Sequence, residues 1–167
     1  MKKVLLLLGF LLAFTYGAAA QIQIERTWQT YNSPKGDWSI LSPGVMQPDD
    51  EAQKPKSKMG SYGYKDAEGF FAVTYRDLPK VPKRLNSYYD KNRDGAVKGM
   101  RGKLLSDGEF MSGGIRGREI YIETETRVLR GRMFFHGKRF YLILAVLPGN
   151  QIRTDAINRF MSSFTVK

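Results

Sequence analysis

Apolar and polar positions alternate in short segments over most of this chain, and the alternation gives way twice to a spacing of three and four. Before either pattern starts, Val4 to Phe14 runs apolar without a charge, behind Lys2 and Lys3 and ahead of Ala18-Ala19-Ala20. That layout predicts an export leader cleaved near Ala20, because the run falls short of the roughly 20 apolar residues a membrane span needs. An uncleaved N-terminal anchor is the competing reading, since Tyr16-Gly17 and the alanines extend the run. The expected mature chain is a single domain, 21–167, with no transmembrane segment, exported to the periplasm or secreted.

Within it, Thr27 to Tyr31 and Trp38 to Leu41 flank Asn32-Ser33-Pro34-Lys35-Gly36 and read as a hairpin. Val45 to Ser57, with Pro48 and Pro55 and little apolar pattern, reads as a loop. Met59 to Lys65 and Phe70 to Asp77 form a second antiparallel pair around Asp66-Ala67-Glu68-Gly69. At 100° per residue, Leu85, Tyr88, Tyr89, Asn92, Ala96 and Met100 share one side of a helix, opposite Lys83, Arg84, Lys91, Asp94, Lys98 and Arg101. Ser87 with Asp90 fits a capping box, Pro82 permits a start one turn earlier, and Gly99 and Gly102 end the helix.

Gly102 to Met111 then reads as a strand, and Ile120, Ile122, Thr124, Thr126 and Val128 alternate with Tyr121, Glu123, Glu125 and Arg127 as one long run. Gly131 to Phe135 and Arg139 to Leu147 pair through His136-Gly137-Lys138. Phe140 to Leu147 is apolar on both faces, which predicts a central strand covered on both sides. Ile152, Ala156, Ile157, Phe160, Met161 and Phe164 give a closing helix its stripe. The sum is an α+β layered domain with a mainly antiparallel sheet of about seven or eight strands and at least two packed helices.

Composition narrows the classes. The chain has no cysteine, so neither disulfides nor thiolate metal sites stabilise it, and it must rely on packing. At 42% hydrophobic and 13% aromatic it has the material for a core. The formal net charge is +11, and it is unevenly placed. Lys80, Lys83, Arg84, Lys91, Arg93, Lys98, Arg101 and Lys103 face only Asp90 and Asp94 between Pro79 and Lys103, and Arg127 to Arg139 carries bases and no acid. Such clustering suits an anionic partner, a protein or an anionic surface of the cell envelope; a solvated face that keeps the protein soluble is the competing account.

Reaction chemistry is sparse. Asp90-Lys91-Asn92-Arg93-Asp94-Gly95 opens like a calcium loop, with oxygens from Asp90, Asn92 and Asp94, but Arg101 stands where the bidentate acid belongs, so the helix is the better reading and no metal is expected. His136 is the lone histidine, in a turn. No nucleophile elbow is present, and Ser112-Gly113-Gly114 has no cue linking it to His136. Glu123 and Glu125 could pair as carboxylates, but acids alternating with isoleucines mark a solvent face. Gly113-Gly114-Ile115-Arg116-Gly117-Arg118 lacks phosphate-loop spacing and reads as a bend. Aromatics beside bases, such as Tyr88 with Lys91 or Arg132 with Phe134, could stack nucleic-acid bases, but export argues against it.

With the elements laid out, 28–164 resembles the PsbP-like group of exported bacterial domains, which share a fold with the extrinsic P subunit of photosystem II and a eukaryotic Ran-binding protein. The likeness rests on Tyr31, Ser33-Pro34 and Gly36-Asp37-Trp38-Ser39-Ile40-Leu41-Ser42-Pro43-Gly44, then Ala72-Val73-Thr74-Tyr75-Arg76-Asp77-Leu78-Pro79. It continues through Asp94-Gly95-Ala96-Val97, Gly117-Arg118-Glu119, Gly137-Lys138-Arg139-Phe140-Tyr141 and Arg159-Phe160-Met161-Ser162-Ser163-Phe164. Trp38 replaces a more usual phenylalanine, and the expected proline comes late, as Pro48. The resemblance implies an α/β/α sandwich around an antiparallel sheet and a binding or accessory task rather than catalysis; no cofactor is expected. The functional expectation is a non-catalytic exported domain whose basic face holds Lys83, Arg84, Lys91, Lys98 and Arg101, with Arg130 and Arg132 if they are adjacent. The alternatives are a hydrolase or metal-dependent enzyme with an unrecognised site, and a subunit docking through Tyr62, Tyr64 or Trp28.

Overall fold

The structure, a computed structural model, describes residues 27–35, 37–50, 54, 58–67, 69–149 and 155–167; the expected leader, most of the expected loop between 51 and 57, and Ile152 lie outside them. The elements are β1 (Gln29–Asn32), β2 (Trp38–Ser42), β3 (Gln47–Pro48), β4 (Met59–Lys65), β5 (Phe70–Asp77), α1 (Leu85–Met100), β6 (Lys103–Ser112), β7 (Ile115–Glu123), β8 (Arg127–His136), β9 (Arg139–Pro148), α2 (Asp155–Ser162) and β10 (Thr165–Val166). Among the described residues seven strands form one antiparallel sheet in the order β3-β4-β5-β9-β8-β7-β6. β2 lies between β1 and β10 in a second, three-stranded sheet. This is the α+β architecture that the residue pattern predicts.

β9 takes the middle of the large sheet because both its faces are apolar. Phe140, Leu142 and Val146 turn to one side, where Tyr88, Tyr89, Ala96, Val97 and Met100 of α1 cover them. Tyr141, Ile143, Ala145 and Leu147 turn to the other, where Ile157, Phe160 and Met161 of α2 pack with Trp38 and Ile40 of β2. Trp38 is fully buried and stacks on Phe164 at 5.9 Å between ring centroids. Burying a side chain of this size contributes on the order of 2–3 kcal/mol. The small sheet is fastened to the large one by Arg139, which pairs with Asp77 at 2.5 Å and 2.9 Å, pairs with Asp37, and lies 4.2 Å from the Tyr75 ring centroid.

Several expectations change. The long alternation from Ile120 to Val128 is two strands, because Thr124-Glu125-Thr126 turns the chain between β7 and β8. The Thr124 hydroxyl makes that turn without glycine or proline, accepting from the Thr126 and Arg127 amides at 3.4 Å and 2.9 Å. The segment read as a loop holds β3, and the closing helix is followed by β10. Leu85 stays 39% exposed, and Tyr62, considered as an exposed docking aromatic, is buried; Trp28 and Tyr64 pack partly on the same core.

α1 starts at the earlier of the two expected places, with Arg84 as N-cap and no side-chain cap, so the Ser87–Asp90 box does not form. At its other end the left-handed residue is Arg101 (φ 53°, ψ 38°), whose amide meets the Lys98 carbonyl, while Gly102 donates to the Val97 carbonyl at 3.1 Å. Gly102 is required for space: a Cβ there would meet the Glu123 carbonyl oxygen at 2.6 Å.

Candidate functional site

The outward side of α1 carries the strongest concentration of unspent charge. Lys83, Arg84, Lys91, Lys98 and Arg101 are all exposed, and none has an ion pair among the described residues. Arg84, Lys91 and Lys98 follow one another at seven-residue steps, so they fall on one side of the helix along roughly 21 Å of its axis. Arg101 and Lys103 extend the row beyond the helix end.

The acids beside the middle of this row are already taken, while exposed Glu123 and Glu125 border Arg101 and Lys103 at its far end. Arg93 reaches Asp94 at 2.8 Å, Asp90 at 3.1 Å and Asp107 of β6 at 2.5 Å. Arg118 of β7 holds Asp107 at 2.6 Å and 3.0 Å and Asp90 at 2.9 Å. Burial pushes the Asp107 carboxyl up, but hydrogen bonds from Arg93 and Arg118 outweigh it and leave the pKa below its ordinary value. The Asp90–Arg93–Asp107–Arg118 network locks α1 onto β6 and β7, and so fixes which side of the helix faces outward.

Asp90, Asn92 and Asp94 therefore do not form a calcium loop. Two of them bind arginines, and Asn92 donates to the Tyr88 carbonyl at 2.8 Å within the helix. Among the described residues no group of three histidine or carboxylate side chains converges as metal ligands do.

The structure does not bring Arg130 and Arg132 to this row. They project from β8 on the α2 side of the sheet. Arg130 donates to Glu119 at 3.1 Å and 3.2 Å and to Asn158 at 2.6 Å. Arg132 donates to Glu119 at 2.6 Å and to the Met161 carbonyl at 3.1 Å. Their side chains are only 10% and 15% exposed. The basic segment on β8 thus braces α2. Burial raises the Glu119 carboxyl, and the hydrogen bonds and charges of Arg132 and Arg130 more than reverse that, so its pKa is lowered.

His136 is exposed at the end of β8. Glu123 ends β7, Glu125 lies in the following turn, and both border an open depression shared with Arg101 and Lys103. Gly113 and Gly114 make the β6–β7 turn with φ of 56° and 77°. Arg118 and Asp107, which orient the whole face, escape a sequence reading; the one signal for Arg118 is its place in Gly117-Arg118-Glu119.

No protein-family profile matches the chain, nor does any curated protein sequence. Solved structures do. Cyanobacterial PsbP (CyanoP) from Synechocystis sp. PCC 6803, determined in solution, matches with a TM-score of 0.58 at 14% identity, over 91% of this chain and 99% of that one. The Ran-binding protein Mog1p of Saccharomyces cerevisiae matches with a TM-score of 0.51 at 10% identity, over 84% of this chain and 96% of that one. The chain has the fold of PsbP and Mog1p. At these identities the PsbP/Mog1p likeness establishes the fold alone, and the role must come from the site. Among the described residues no helix is long and apolar enough to cross a membrane.

Proposed function

We propose that this chain is an exported, non-catalytic accessory or binding domain that meets an anionic partner of the cell envelope through the outward side of α1. The observation that carries the reading is the row Lys83, Arg84, Lys91, Lys98 and Arg101, exposed and without ion pairs among the described residues, beside carboxylates that Arg93 and Arg118 already occupy. A fixed helix side with five free cations, whose one acid, Asp94, is paired to Arg93, attracts anionic surfaces over about a Debye length and loses that attraction in salt. The state of the less exposed carboxylates supports the non-catalytic part: Asp77, Asp107 and Glu119 are each held by arginine and are not free to act as proton donor or acceptor. Export rests on the leader pattern of 1–20. Mog1p, a Ran-binding protein, gives a precedent for partner binding on this scaffold.

Retention of the mature protein on heparin–agarose tests the reading. The salt needed for elution should fall for Lys91→Glu/Lys98→Glu and stay near wild type for Lys35→Glu/Lys65→Glu, which changes net charge equally away from α1. Equal effects of the two double variants, or retention that ignores salt, would remove the α1 face from the account.

A further inference from the structure

Where the Leu85 end of α1 approaches the β6–β7 hairpin, the two elements leave a half-open cleft of about 660 Å³. That volume suits a small molecule. Lys83, Arg84 and Leu85 form one wall, Glu109 and Arg116 the other, and Tyr89 lies between them. Three features of this lining point to one ligand chemistry. Lys83 and Arg84 are exposed cations without ion pairs among the described residues. Among the described residues Arg116 is occupied only by Glu109, at 2.8 Å and 3.0 Å, in a pair whose side chains are 69% and 67% exposed. A pair so open to water is weak and exchangeable, so an incoming oxyanion can take the place of Glu109 on the Arg116 fork without loss of pairing. Leu85, 39% exposed, adds apolar surface beside these cations, and Tyr89, 7% exposed, lines the cleft from the core side. The start of α1, which no side chain caps, contributes the same sign of potential.

We propose that this cleft binds a small organic anion, its carboxylate or phosphate head held by Lys83, Arg84 and Arg116 and its apolar body laid against Leu85 and Tyr89. Glu109 then acts as the built-in competitor for Arg116, released to solvent when the ligand enters. The site shares Lys83 and Arg84 with the α1 face but does not depend on what that face meets.

The test is a titration of the mature protein with phenyl phosphate, benzoate, inorganic phosphate and benzyl alcohol, followed by amide chemical shifts. Saturable shifts at 84–87 and 115–118 are expected with both aromatic anions. Inorganic phosphate should bind more weakly for want of an apolar body, and benzyl alcohol for want of a charge. Arg116→Gln should weaken phenyl phosphate about tenfold, the worth of one charge-assisted contact. Glu109→Gln should tighten it several-fold, and Lys98→Glu should leave it within twofold. Phenyl phosphate binding equally to wild type and Arg116→Gln, or weakened as much by Lys98→Glu as by Arg116→Gln, overturns the proposal. So does benzyl alcohol binding as tightly as the anions. Arg116 lies outside the α1 row, so heparin retention of Arg116→Gln separates the two ideas: retained protein with a lost cleft response implicates the cleft alone.

Discussion

Replacing Glu119 by alanine removes the one carboxylate shared by Arg130 and Arg132 and leaves two guanidinium groups at 10% and 15% side-chain exposure without a counter-charge. Breaking a buried ion pair in this way costs about 3–5 kcal/mol, because the remaining charges keep their desolvation cost. The surroundings set where in that range the loss falls. Arg130 keeps Asn158 at 2.6 Å and the Tyr121 ring at 5.3 Å; Arg132 keeps the Met161 carbonyl at 3.1 Å and the Phe110 ring at 5.0 Å. These contacts place the cost near the lower end, about 3 kcal/mol. For a domain of this size that is a fall in Tm of roughly 10 °C. Urea unfolding with a thermal melt measures both. Glu119→Gln keeps the shape and one acceptor, so it should cost less, about 1.5–3 kcal/mol. Replacing Arg130, Glu119 and Arg132 together by Met, Leu and Leu should recover most of the loss, since it removes the buried charges themselves. A cost for Glu119→Ala below about 1 kcal/mol, as is usual for exposed pairs, would return Arg130 and Arg132 to solvent and refute the assignment of this cluster to α2 bracing.

Other consequences concern α1 and acid. Arg101→Gly should stabilise the protein by about 0.5–1 kcal/mol in urea unfolding, since glycine takes the left-handed conformation without steric cost, yet it should lower the heparin elution salt by removing a cation. Gly95→Ala should stabilise by up to about 1 kcal/mol, because a Cβ there meets nothing within 4 Å, whereas Gly102→Ala should destabilise by more than that, meeting the Glu123 carbonyl at 2.6 Å. The Asp37, Asp107 and Glu119 carboxyls lie below their ordinary values despite burial, through Ser33 and Arg139, through Arg93 and Arg118, and through Arg132 and Arg130 respectively. The unfolded chain therefore binds more protons than the folded one in acid. Stability should be level near neutrality and fall as pH drops through about 4 toward the lower folded values. A urea midpoint that stays constant from pH 6 to pH 3 would contradict this, and Glu119→Gln should flatten the acid limb.

How far the sequence leads depends on whether a residue's partner is near it in the chain. β9 is legible because a strand apolar on both faces has only the middle of a layered sheet to occupy. The α1 row is legible because seven-residue spacing on a helix returns to one side without help from any other element. The fate of Arg130 and Arg132 is not, and a single turn explains why. With Thr124-Glu125-Thr126 read as part of a continuous strand, Glu119 has no reason to lie beside β8. With the turn in place, the register sets Glu119 directly opposite Arg132 and two residue pairs from Arg130, on the same face of the sheet. The turn itself is hidden because threonine alternates like a strand residue, while its hydroxyl does the work usually signalled by glycine, asparagine or proline. The β10 strand is invisible for a related reason: two residues, Thr165 and Val166, pair with Ser39 and Trp38 across most of the chain length.

The same distinction governs the candidate site. Its cations could be named from the sequence, but their availability could not, since that depends on Arg93 and Arg118 claiming Asp90 and Asp107 across three elements. The direct measurement is an amide chemical-shift map of residues 21–167 titrated with poly-L-glutamate at low and high salt. The largest changes should fall along 83–101 and be weakened by salt and by Lys91→Glu/Lys98→Glu. Changes centred on β8 and α2, or scattered evenly over the surface, would contradict it.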